Sequence, residues 1–113
     1  MIYLCGPKNA RYTYTGSPIP HLDLAYRCDA QTLAKALSIY ESVFNVRITS
    51  MQEPLLGLSE NIGKYFDYLD LDNNSKIAVD VHVIRQGETI CPKQNLDFVL
   101  QKEDIVDIGP LLC

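Results

Sequence analysis

Tryptophan is absent, histidine occurs twice, and no apolar run approaches the roughly 18 residues that a membrane-spanning helix needs. The four cysteines, Cys5, Cys28, Cys91 and Cys113, contain no CxxC pair, which excludes a zinc ribbon and a thioredoxin-type motif. No GxGxxG or GxxxxGK stretch offers a backbone cradle for phosphate. Basic residues are in the minority, ten against fourteen acidic, for a net charge of −4. Such a surface opposes general nucleic-acid binding and attraction to anionic membranes. Met1–Cys5 has neither a basic flank nor a long apolar stretch and does not read as an export signal. Four isolated cysteines without such a signal are expected to be reduced, with no intramolecular disulfide, no metal and no cofactor.

What is present is enough for a core. A chain of 113 residues with 47% apolar content reads as one domain over 1–113 and excludes intrinsic disorder. Met1–Cys5 is a short β-prone stretch stopped by Gly6-Pro7, and Arg11–Thr15 is a second, broken by Gly16-Ser17-Pro18. His21–Arg27 alternates, with Leu22, Leu24 and Tyr26 on one face. Asp29 suits a helix N-cap, and Leu33, Leu37, Tyr40 and Phe44 then form one stripe at helical spacing over Ala30–Phe44, with Asn45 at the exit. Val46–Thr49 is a short strand candidate. Ser59 is a second N-cap candidate, for a short helix carrying Ile62, Tyr65, Phe66 and Leu69 to about Asp70. Lys76–Arg85 is the strongest strand, with Ile77, Val79, Val81 and Val83 on one face and Asp80 and His82 on the other. Gln86-Gly87 predicts a tight hairpin into Glu88–Ile90. Leu96–Leu100 fits a strand or one helical turn, Lys102-Glu103-Asp104 a polar turn, and Ile105–Ile108 a last strand. The pattern predicts an α+β fold, a mixed sheet packed on one main helix, with a second short helix. Its core joins the helical stripe to Leu22, Leu24, Ile77, Val79, Val81, Val83 and Ile105.

Few residues carry chemistry. Asp70-Leu71-Asp72-Asn73-Asn74 resembles the start of a calcium loop, but Ser75 replaces the required glycine and Val81 the bidentate glutamate, so a polar turn is expected. His21 and His82, each with an aspartate two residues away, read as solvated residues on wet strand faces. No serine lies in a glycine-flanked elbow. Catalytic, cofactor and metal residues are therefore expected to be absent. Tyrosine supplies seven of ten aromatic residues. Tyr12 and Tyr14 on one strand, and Tyr65 and Tyr68 on one helix, suit a protein interface, where a ring is buried and its hydroxyl paired. Packing at the core's edge is the other reading. The Arg11–Thr15 strand would be the edge open to a partner.

The stretch from Ile77 to Leu112, a strand, a tight turn, a Leu-bearing segment, the acidic turn Lys102-Glu103-Asp104 and a final strand into Gly109-Pro110, resembles the second half of a ubiquitin-like β-grasp domain. Leu22–Phe44 would supply the grasp's second strand and helix. Sulfur carriers of that fold end in Gly-Gly, whereas this chain ends Gly109-Pro110-Leu111-Leu112-Cys113, so their thiocarboxylate chemistry is not implied. The chain is also similar to the phage tail assembly protein I family, in Met1–Gly6, Leu22–Ala36, Val81–Gly87 and Ile105–Pro110, with 46–75 as an insertion. That resemblance implies a non-enzymatic structural or assembly protein that binds other tail-tip proteins, located in a virion tail or the cytoplasm of an infected cell. A β-grasp accessory of a cofactor or oxygenase system and a small phage-encoded inhibitor of a host protein are the alternatives.

Overall fold

The computed structural model describes residues 1–9, 25–51 and 64–109. These contain β1 (Ile2–Cys5), β2 (Tyr26–Cys28), α1 (Leu33–Phe44), β3 (Val46–Ser50), β4 (Phe66–Asp70), β5 (Ser75–Arg85), β6 (Glu88–Ile90) and β7 (Ile105–Gly109). The fold is α+β: one mixed sheet in the order β2-β1-β7-β5-β4-β3, with β6 on β5, and one helix among the described residues. β1 and β7 are parallel neighbours, and the other pairs are antiparallel. β5 is long enough to serve several partners. Asp80–Ile84 pairs with β7, Phe66–Asp70 with Ser75–Val79, and β6 with Val83–Arg85.

The helix begins later than Asp29 suggests. Thr32 is the N-cap, its side chain accepting from the Lys35 amide at 3.3 Å, while the Leu33 and Ala34 amides donate to Phe98 O and Leu96 O. A loop distant in sequence thus satisfies donors that an isolated helix leaves open. Asn45 ends α1 in the left-handed region, φ 55°, as its residue type allows. Leu33, Ala36, Leu37 and Tyr40 are buried against Ile2, Leu4, Val81, Val83, Val106 and Ile108. Phe44 is half-buried and stacks beside Tyr40, with ring centroids 4.5 Å apart. Two expected core positions differ: Ile77 is 49% exposed, and Ile105 alternates onto the sheet's other face, away from Val106. Leu22 and Leu24 lie outside the described residues.

Gln86 (φ 52°) and Gly87 (φ 81°) form the two-residue turn whose twist matches its flanking strands. The expected second helix is corrected in its described part: Phe66–Asp70 is strand β4, hydrogen-bonded on both sides. Phe66 and Tyr68 satisfy a two-residue period as well as a helical one, and pairing with β3 and β5 selects the former. Leu96–Leu100 is neither strand nor helix but turns ending in one bridge, Val99 to Thr32. The expectation of four reduced cysteines also fails. Cys91 is disulfide-bonded, while Cys5 and Cys28 are free thiols. Wide spacing in sequence carries no information about which sulfurs meet. No helix among the described residues is long and apolar enough to cross a membrane.

Tyr40 fastens the helix to the exit of β1. Its hydroxyl accepts from the Lys8 amide at 3.1 Å and donates to Asn9 Oδ1 at 3.3 Å. Asn9 in turn accepts from the Gly6 amide and donates to Leu4 O. A Cβ on Gly6 would stand 2.5 Å from Tyr40 Oη and 2.7 Å from Cζ, so only glycine admits the ring. Gly6→Ala should therefore cost about 1–3 kcal/mol, the usual range for overpacking. Leu37→Ala should cost about 2–5 kcal/mol as a core truncation. Urea titration checks both, and a loss below about 0.5 kcal/mol at Leu37 would place α1 in solvent.

Candidate functional site

The residues with most chemical potential lie in one row across three strands. Alternation puts Val81 and Val83 toward α1 and Asp80 and His82 on the opposite face of β5. His82 is the cross-strand partner of Asp107 on β7, and Asp107 is the partner of Cys5 on β1. Asp80 stands next in line, opposite Gly109. The two wet-face expectations part here. His82 is on the predicted face, but it is 1% exposed, and Asp80, Asp107 and Cys5 are equally sealed. His21 lies outside the described residues.

His82 Nε2 is 3.2 Å from Asp80 Oδ2, and Nδ1 is 3.9 Å from Asp107 Oδ2, so the ring's two nitrogens face different carboxylates. Neither makes an aligned hydrogen bond. The short contact to Asp80 is thus a close approach in poor geometry, while Asp80 Oδ1 accepts from the Val81 amide at 2.9 Å. Carboxylates on opposite sides of the imidazole cannot ligate one ion together with a single ring nitrogen. Among the described residues no three His, Cys, Asp or Glu side chains converge as a metal site requires.

The row has the composition of a thiol hydrolase but not its electrostatics. A nucleophilic cysteine needs a neighbour that favours thiolate. Burial, reinforced by the Asp107 charge, instead pushes the Cys5 thiol up to about 12. The thiol stays protonated near neutrality, and the group beside it in the row is a carboxylate rather than the imidazole.

Two further polar clusters hold turns. Lys8 Nζ lies 2.9 Å from Asp70 Oδ1 and 2.7 Å from Asp72 Oδ2, and Asn45 Nδ2 donates to Asp72 Oδ1. An ammonium therefore occupies the carboxylates of the calcium-loop-like segment, which is a polar turn, with Asp72 N bonded to Asp70 Oδ1 and Ser75 N to Asn73 Oδ1. These bonds hold the Lys8 ammonium above, and the Asp72 carboxyl below, their ordinary values. Asp104, at the end of the expected polar turn, is fully buried. It takes a two-pronged bond from Arg85 Nε (3.0 Å) and Nη2 (2.8 Å) and closes the turn by accepting from the Gln101 amide.

Of the four interface tyrosines, Tyr12 and Tyr14 lie outside the described residues. Tyr65 and Tyr68 do not share a surface. Tyr68 is 2% exposed and belongs to the core, its ring 6.5 Å from that of Tyr40, while Tyr65 is half-buried before β4 begins. Three residues apart on a helix are neighbours; three apart in an extended chain point to opposite sides. Sequence reading missed Cys5 and Asp107 as members of a cluster, because only the pairing of the first and last strands aligns them.

No family model, curated protein or solved structure matches the chain.

Native alkylation with iodoacetamide at mildly alkaline pH should modify half-buried Cys28 well before Cys5, with both reacting freely in denaturant. Peptide mass mapping over time reads the order, and equal native rates would show that the Cys5 row is open.

Proposed function

We propose that the chain is a non-enzymatic protein-binding module of the ubiquitin-like β-grasp type. The observation that carries the functional half is the inward placement of its reactive groups. The thiol, imidazole and two carboxylates are buried in one row, and the thiol is held in its unreactive form. Large apolar side chains are meanwhile turned outward, Val99 at 67% and Val43 at 43% exposure among them. Such side chains contribute to binding when a partner covers them.

Strand order supports the fold assignment. β2-β1-β7-β5 with β6 beyond β5, a parallel β1–β7 pair at the centre and a helix between β2 and the remaining strands, is the arrangement of a β-grasp sheet. On this reading the β3–β4 hairpin is an insertion that widens the sheet past the first half of β5. An assembly role in a phage tail tip is the setting that the resemblance to tail assembly protein I implies.

Tagged and recovered under native conditions from its own producing cells, the chain should elute in a complex of defined stoichiometry, read by native mass spectrometry. A monomer in every fraction would overturn the proposal. So would a turnover activity abolished by Cys5→Ser with the fold retained.

A further inference from the structure

We infer that the cleft beside the start of α1 is a docking surface for an extended acidic segment of a partner protein, an inference that rests on the protein-binding reading above. The cleft has a volume of about 830 Å³ and opens between residues 29–32 and the 100–102 turn. Ile2 and Leu100 lie at its base, nearly buried, and Lys35 and Lys102 stand at its rim.

The walls are tied together before any partner arrives. Leu100 N donates to Gln31 O at 2.9 Å, and Leu33 N to Phe98 O at 3.0 Å. A prearranged surface loses little freedom on binding. The same bonds consume the amides that open the helix, so attraction for an anion comes from the lysines and not from the helix end.

Charge selects the occupant. The molecule carries −4 overall, yet the cleft is lined by two lysines and a single carboxylate, Asp29. Lys35 occupies the first helical turn, where a carboxylate would stabilise α1, and that turn contains no acidic residue. A local rule broken at a cleft points to a use for the cation. An extended chain presents alternate residues to opposite sides. One side can lay apolar groups on Ile2 and Leu100 while the other brings carboxylates to the lysines.

The test titrates the full chain with a fluorescein-labelled peptide of alternating leucine and glutamate, with alternating leucine and lysine as the counter-probe. The glutamate peptide should bind, more weakly as salt rises, with amide shifts in the labelled protein confined to residues 29–35 and 99–102. The double variant Lys35→Glu/Lys102→Glu should lose about tenfold in affinity, the scale expected for two exposed ion pairs turned to repulsion. Both lysines are exposed and Lys35→Glu favours the helix dipole, so the variant should melt no lower than the parent. Absent binding, equal binding of the lysine peptide, or an unaffected double variant would overturn the inference. Shifts mapping elsewhere would overturn the cleft while leaving the protein-binding reading intact. A chain found only as a monomer in its own cells would overturn that reading instead.

Discussion

The parallel pairing of β1 with β7 is the constraint on which the rest depends. It joins residues at the two ends of the described chain, with Tyr3, Leu4 and Cys5 opposite Ile105, Val106 and Asp107. Because β7 also pairs with β5, it is the central strand, buried along nearly its whole length. The register sorts side chains to two environments at once. Leu4, Val106 and Val83 meet under α1, while Cys5, Asp107 and His82 meet on the far face. A slip of one residue would exchange these two rows and bury the polar one beneath the helix.

The pairing also explains why Tyr40 matters beyond its packing volume. β1 is only four residues long, too short to hold its position by ladder bonds alone. The turn after it is secured by Tyr40 Oη and Asn9, and its opening residues by the Glu103 amide on Met1 O and the Tyr3 amide on Asp104 O. Asp104 is itself fixed by Arg85 from β5. Helix, first strand and last turn therefore restrain one another, and the cleft beside residues 29–32 inherits that rigidity.

The buried polar row shows how composition and environment separate. Cysteine, histidine and aspartate in contact would ordinarily suggest nucleophilic chemistry. Burial disfavours the Cys5 thiolate, and Asp107 penalises it further. In this sheet those residue types lie in a row sealed from solvent.

Local features were legible in the sequence wherever short-range physics decides them. The stripe Leu33, Leu37, Tyr40 marked α1, the residue types Asn45 and Gln86-Gly87 marked its exit and the β5–β6 turn, and alternation assigned the two faces of β5. Where a segment satisfied two periods, as Phe66 and Tyr68 did, its neighbours in space made the choice. The helix start moved from Asp29 to Thr32 because carbonyls at Leu96 and Phe98 reach its first amides. Alternation told which face His82 occupies but not whether that face meets water, since exposure is a property of what lies above the sheet. The Cys5–Asp107–His82 row, the Arg85–Asp104 pair, the disulfide at Cys91 and the cleft between residues 29–32 and 100–102 were decided by tertiary structure alone. Each depends on groups far apart in sequence, and local propensity contains no term for where distant segments meet.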